Sequence, residues 1–132
     1  MPDFFSIAAS DNFRLVKSKP LKGAVAAGTW NLIQVPKWSF VTGVWAVIDT
    51  ACSSLDVSVG WAGNTETAQV AGFMSSDIVD AGNVGTKAAI KDTLVSFPAK
   101  YFGNGSGVIT ATLGTAWSAG MLTVFCQYSV IH

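Results

Sequence analysis

The sequence has few of the residues on which enzymes and metal sites depend. Its 132 residues include one histidine, at the last position (His132), and two cysteines, Cys52 and Cys126. A Cys–His or Ser–His nucleophile, or a zinc site, would need that single histidine, which lies at a terminus where fraying is the default. We therefore expect no catalytic residue, no metal site and no cofactor.

Charge is also scarce. Only 12% of the residues are charged and 50% are apolar, whereas about a quarter of an average soluble domain is charged. So few charges cannot cover the surface of a monomer, which predicts burial of outer surface in an oligomer or larger assembly. Eight basic and eight acidic residues cancel, so no overall field favours nucleic acid or an anionic membrane as a partner.

Targeting and membrane signals are missing from the sequence as given. The opening MPDFFSIAASD has no basic region before an apolar run. The longest apolar stretch, residues 41–48, is far shorter than the ~20 residues that cross a bilayer. We expect synthesis in a cytoplasm, and hence two buried thiols rather than a disulfide between Cys52 and Cys126.

Alternation of apolar and polar residues predicts strands through most of the chain. LDVSVGW (55–61) alternates cleanly, whereas MLTVFCQYSVI (121–131) is apolar on both faces. The second pattern is typical of a central strand, or of one whose outer face meets a partner subunit. Other predicted strands are SFVTGVWAVIDT, GTWNLIQV, TLVSF and GVITATL. About eight strands and 13 glycines predict an all-β protein, an antiparallel β-sandwich or barrel.

The linking segments give weaker predictions. ACSS (51–54) is interpreted as the tight link of a hairpin between two strands, with Asp49, Ser53 and Ser54 bonding to local backbone. TAQVAGFM and NVGTKAAIKD are predicted to form a helical turn or two. Asp77, Asp80 and Asn83 could offer oxygens to a calcium ion, but they lack the spacing of a loop motif, which favours solvated turn residues.

The N-terminal segment, residues 1–22, is set apart from the β-sandwich predicted over residues 23–132. It carries Arg14, Lys17, Lys19 and Lys22 with no acid among them. This pattern indicates an edge strand or an extended arm. A tether that docks on an acidic neighbour is a sharper alternative, and nucleic-acid binding a more distant one.

Five tryptophans are many for this length. Trp45 and Trp61 lie on predicted strand faces and are expected in the core. Trp38, close after a proline, and Trp117, in a glycine-flanked loop, are expected to be exposed. Exposed tryptophans serve intersubunit contacts or stack on sugar rings, and we favour contacts.

From about residue 41 onward the order of motifs resembles the small β-sandwich virion proteins of tailed bacteriophages, in particular head decoration (cement) proteins. The motifs are VWAVIDTACSS, DVSVGWAGNTE and VITATL followed by AWSAGMLTVFCQYSVI. The matching positions are Ala46, Ile48, Thr50, Ala51, Val57, Val59, Gly60, Gly63, Asn64, Gly120, Val124 and Tyr128. The resemblance implies a jelly-roll-like fold, a homotrimer, binding to the outer capsid surface and no catalysis.

The sequence thus predicts a non-enzymatic structural protein of the virion whose partners are the major capsid protein and further copies of itself. No small-molecule substrate is expected. The expected contact residues combine aromatic and cationic side chains of the N-terminal segment with the two loop tryptophans: Phe4, Phe5, Phe13, Arg14, Lys17, Lys19, Trp38 and Trp117. The alternative function is a tail-fibre or receptor-binding module that binds glycan.

Overall fold

The structure, a computed structural model, describes residues 13–63, 67–90 and 97–131. These residues form ten strands and one short helix: β1 Phe13–Lys17, β2 Leu21–Lys22, β3 Gly28–Val35, β4 Ser39–Thr50, β5 Val57–Gly63, β6 Gln69–Met74, α1 Ser76–Val79, β7 Gly85–Ala88, β8 Lys100–Tyr101, β9 Gly107–Leu113 and β10 Met121–Val130. The strand predicted at 93–97 falls almost wholly outside the described residues. In the described part, no helix has the length and hydropathy needed to cross a membrane.

The strands form two antiparallel sheets that face each other. The first sheet has the order β1-β10-β4-β7, with β2 also paired to β10 and β8 to β4; the second has the order β3-β9-β5-β6. Leaving aside the two-residue strands β2 and β8, the first long strand pairs with the eighth, the second with the seventh, the third with the sixth and the fourth with the fifth. This nested pairing is that of a jelly roll, so the predicted all-β, jelly-roll-like antiparallel sandwich is confirmed.

Alternating side chains of both sheets build the core between them. Along β5, Val57 and Val59 are fully buried, and along β10 the same holds for Leu122, Val124 and Cys126. Strand β10 lies between β1 and β4, as its two apolar faces predicted. Strand β1 lies at the edge of the first sheet, pairing Phe13–Lys17 with Phe125–Ser129.

A bulge in β4 changes which side chains face the core. Gly43 pairs with Gln127 and Val41 with Tyr128, so Thr42 is an extra residue in the ladder, and its hydroxyl donates to the Gln127 carbonyl (3.3 Å). As a result Val41 and Val44 are both buried although they are three positions apart. Beyond the bulge, alternation resumes, and Trp45 and Val47 face outward.

Several local predictions were wrong. Residues 51–56 do not link a hairpin, because β4 belongs to the first sheet and β5 to the second; they cross from one sheet to the other. The segments predicted as helical turns contain β6 and β7, whose pairing with β5 and β4 outweighs their helix propensity. The one described helix, α1, lies instead at Ser76–Val79.

The N-terminal segment is described only from Phe13 onward. Its residues 13–17 and 21–22 hydrogen-bond to β10, so the edge strand is the alternative that these residues adopt. The division of the chain at residue 22 stays a prediction.

Candidate protein-binding surface

The outer face of the first sheet is apolar at its centre. Leu15, Trp45, Val47 and Phe125, together called the apolar face below, line a groove of about 310 Å³ with Thr86. Leu15 is 67% exposed, and the other three residues are half-buried. Exposed apolar groups that cluster in this way are typical of protein-binding surfaces.

Strand register brings these side chains together from distant parts of the chain. Phe125 pairs directly with Trp45 on one side and with Lys17 on the other, and Val47 pairs with Thr123. Directly opposed residues of an antiparallel pair point to the same side of the sheet. The apolar face is therefore a continuous patch across β1, β10 and β4.

The apolar face has charged side chains of both signs beside it. A second groove of about 250 Å³ shares Val47 and Phe125 with the first and includes Lys17 and Asp49. The Lys17 ammonium lies 6.0 Å from the centroid of the Phe125 ring, within cation–π range.

The outer face of the second sheet is different. Thr29, Thr112 and Ser58 form a row of hydroxyl side chains across β3, β9 and β5, and the Thr29 and Thr112 hydroxyls are hydrogen-bonded (3.0 Å). Gln34 on β3 is exposed on the same face. Val108 and Ala62 lie on this outer face as well, in one row with Gln34, so the face mixes polar and apolar side chains and is more polar than the outer face of the first sheet.

The predicted contact residues of the N-terminal segment are solvent-facing where they are described. Phe13, Arg14 and Lys17 on β1, and Lys19 after it, are all exposed. Phe4 and Phe5 lie outside the described residues. The role of these side chains in binding stays a prediction.

Trp38 lies in the turn between β3 and β4, in a backbone conformation that is rare for a non-glycine residue (φ 67°). Its N–H donates to the Gly103 carbonyl (2.8 Å) and its carbonyl accepts from the Ile131 N–H (2.7 Å). The residue is half-buried, so part of the ring is available for contact.

Trp117 is buried, and its expected exposure was wrong. It is 3% exposed, because its N–H and carbonyl both bond to Val25, which holds the loop 114–120 down over the end of the sandwich. The Ser53 hydroxyl adds a second attachment by accepting from the Ser118 N–H (2.8 Å). Trp117 therefore cannot contact a partner without opening of this loop.

The two tryptophans that were predicted to lie in the core differ in position. Trp61 is buried at 6% exposure and packs edge-on against Phe73, with ring centroids 5.1 Å apart, as predicted. Trp45 is not a core residue, because the bulge at Thr42 sets it on the outer face beside Phe125. The sequence pattern did not predict that Trp45 lies on the surface. The apolar residues on both faces of residues 121–131 were the one signal for an apolar outer face on the sheet that contains Trp45.

Both cysteine side chains lie in the core. Both cysteines are buried free thiols, as predicted. Burial raises the pKa of Cys126 to about 12, and burial likewise raises the pKa of Cys52. A raised pKa lowers the fraction of the thiolate that a nucleophile requires.

The segment around Asp77, Asp80 and Asn83 binds the side chain of a lysine from the same chain, Lys87. The Lys87 ammonium donates to the carbonyls of Val79 (2.8 Å), Asp80 (3.0 Å) and Asn83 (3.0 Å), and so caps the C-terminal end of α1. Asn83 also donates to the Asp80 carboxylate (2.8 Å). No cluster of three or more metal-ligating side chains occurs among the described residues.

Comparison with known proteins finds likeness in fold rather than in sequence. No protein-family model matches the chain, and a search of curated proteins finds no match. Three phage capsid structures are among the solved structures that match over nearly the whole chain. A chain of the capsid asymmetric unit of cyanophage Pam1 has a TM-score of 0.60 at 12% identity, with 91% of this chain and 86% of that chain covered.

The other two matches come from phage capsids with different hosts. A chain of the acidic stable capsid of Helicobacter pylori bacteriophage KHP30 has a TM-score of 0.59 at 16% identity, covering 91% and 89% of the two chains. A chain of the capsid of Ralstonia phage GP4 has a TM-score of 0.56 at 10% identity, covering 92% and 86%. The chain thus shares its fold, over nearly its full length, with chains found in three phage capsids.

Proposed function

We propose that the protein is a non-enzymatic structural component of a tailed-phage virion, a decoration (cement) protein that binds the outer surface of the capsid and stabilises the head. The observation that carries the proposal is the near-complete overlap of one jelly roll with chains of three phage capsid structures. The aligned chains are of similar length to this one, since each match covers 86–89% of the other chain.

The surface of the molecule supports this role. Little charge, zero net charge and an apolar outer sheet face suit a protein that is buried against other proteins in its working state. Among the described residues, the two thiols are buried with raised pKa values, which gives no support to catalysis. The segment around Asp77, Asp80 and Asn83 binds the Lys87 ammonium, which gives no support to metal binding there.

The mechanism is mass action. A subunit that spans two or more shell proteins buries surface only in the assembled head, so its binding free energy adds to the free energy needed to rupture the shell. The N-terminal segment supplies the shell contact in this proposal, through Phe4, Phe5, Phe13, Arg14, Lys17 and Lys19, and the shell partner is the major capsid protein. The working form is a homotrimer.

The test is addition of the purified protein to heads of the same phage that lack it. We expect saturable binding and heads that withstand higher temperature before releasing DNA. Deletion of residues 1–12 removes Phe4 and Phe5 but keeps β1, and we expect it to weaken binding while the sandwich stays folded. Undiminished binding by the truncated protein would refute the role of Phe4 and Phe5, and absence of binding by the intact protein would refute decoration.

Receptor binding is the competing function, and it rests on Trp38, since Trp117 is buried. A glycan array tests it. Binding that is lost in Trp38→Ala but kept in Trp117→Phe would favour a glycan-binding module over a decoration protein.

A further inference from the structure

We infer that the apolar face of the first sheet is the surface through which one copy of this chain binds another. The inference deepens the proposed function, on which it rests for its biological setting, by naming the surface on which copies associate. It assigns Leu15 and Lys17 of β1 to contacts between copies, and leaves the shell contact to the other residues of the N-terminal segment named above. Three observations lead to it: the apolar face itself, the charges beside it and the polarity of the opposite face.

The apolar face has the composition of an interface centre. Trp45 and Phe125 lie side by side on paired strands, with Leu15 and Val47 beside them. Aromatic residues are enriched at protein interfaces, and burial of a large aliphatic or aromatic side chain is worth about 1.5–3 kcal/mol. Leu15 is two-thirds exposed, so the described residues of one copy do not supply this free energy in full.

The charges beside the apolar face point to a second copy as the occupant. One groove carries both the Lys17 ammonium and the Asp49 carboxylate next to Phe125 and Met121. A second copy brings the opposite charge for each of them, because it carries the same pair. The whole chain has zero net charge, so copies do not repel one another at long range.

The opposite face remains outside such an assembly. Its hydroxyl row of Thr29, Thr112 and Ser58 and the exposed Gln34 are suited to water. Association through the apolar face therefore places the polar sheet outward, and every copy gains the same burial in a closed ring or pair.

The test is the molar mass of the purified full chain, measured by size-exclusion chromatography with light scattering across a dilution series. We expect an oligomer. Leu15→Glu places an unpaired carboxylate on the apolar face and should weaken association at least about tenfold. Leu15 is mostly exposed, so this variant should keep its fold, which circular dichroism and the thermal midpoint will check. Gln34→Glu is the matched control on the polar face and should leave the oligomer intact.

Charge reversal provides a second variant set that tests the identity of the occupant. Lys17→Glu and Asp49→Lys should each weaken association, and the double variant should recover it, because the pair then meets its complement again. A monomeric wild-type chain would overturn the inference, and so would an oligomer that persists in both Leu15→Glu and Lys17→Glu. If truncation of residues 1–12 turns a monomer into an oligomer, the face belongs to the chain's own N-terminal segment, which also overturns it. Oligomers that form through this face but do not bind heads would contradict the proposed function alone.

Discussion

At the scale of single residues, a buried serine hydroxyl replaces a backbone hydrogen bond that is missing between two strands. Ser18 lies between β1 and β2 and is 4% exposed. Its hydroxyl accepts from the Val124 N–H (3.0 Å) and donates to the Lys19 carbonyl (3.0 Å). The side chain therefore satisfies a backbone donor of β10 where β1 has ended.

We expect Ser18→Ala to lower the free energy of unfolding by about 1–3 kcal/mol, because it leaves the buried Val124 N–H without an acceptor. Urea denaturation measures the change. Ser118→Ala is the matched control, since Ser118 is exposed and bonds to Ser53 through its backbone N–H. Equal stability of the two variants would contradict the assigned bond.

The buried thiols give a pH dependence with a definite sign. Cys126 keeps its proton in the folded protein up to a pKa of about 12, whereas the unfolded thiol loses it near its ordinary pKa of 9.0. The unfolded state therefore binds fewer protons above pH 9.0, and stability falls as pH rises towards about 12.

We expect the wild type to lose up to about 1.4 kcal/mol more per pH unit in this window than Cys126→Ala does. Urea unfolding of both proteins at several alkaline pH values measures the difference. Parallel curves for the two proteins would show that Cys126 titrates normally. Below pH 9.0 the curves should run parallel.

At the scale of elements, one glycine fixes how the last loop enters β10. Gly120 has a φ of 143°, and a Cβ at this position would lie 2.8 Å from both the Cα and the Sγ of Cys52. Gly23 also has a positive φ (74°), but no heavy atom lies within 4 Å of its Cβ position. The two glycines therefore separate backbone strain from steric overlap.

We expect Gly120→Ala to destabilise the protein by about 2–4 kcal/mol, from strain together with overpacking against Cys52. Gly23→Ala should cost only about 1–2 kcal/mol, from the left-handed backbone alone. Thermal unfolding compares the variants. A larger loss in Gly23→Ala would contradict the packing of the 114–120 loop against Cys52.

Strand β1 is part of the sheet and not a detachable arm. It pairs over five residues with β10. We expect deletion of residues 1–12 to leave the thermal midpoint nearly unchanged, whereas deletion of residues 1–19 should lower it and promote aggregation, because it uncovers the edge of β10. Light scattering during heating distinguishes the two truncations. Equal behaviour would mean that β1 contributes nothing to the sandwich.

Elements were predictable from the sequence where local pattern decides them. Alternation located β5, β9 and β10 and the buried sides of β5 and β10, since a half-buried strand requires it. It could not reveal the crossover at residues 51–56, because pairing of β4 with β10 and of β5 with β9 depends on contacts far apart in sequence. The helical propensity of the segments that contain β6 and β7 was overridden for the same reason, by pairing with β5 and β4.

At the scale of the whole molecule, the sequence predicted an unusually apolar surface but not its position. Low charge indicated burial against other chains. Only the assembled sheet shows that Leu15, Trp45 and Phe125 lie together, because the bulge at Thr42 decides which way Trp45 faces. Trp117 was misplaced for a related reason, since the bonds to Val25 that bury it join residues 92 positions apart.

The asymmetry of the two sheets unifies these observations. An apolar outer face needs a cover, and a polar outer face suits solvent. A jelly roll shared with chains of phage capsids has both kinds of surface. In the function proposed above, the protein associates through the apolar face and presents the other sheet outward, so that each face is used in the way its chemistry favours.

The most direct test is the position of this chain on purified particles of its phage, determined by antibody-gold labelling or by a particle reconstruction. The account predicts the chain on the outer surface of the head, in many copies. A position at the tail tip, or absence from the particle, would contradict it.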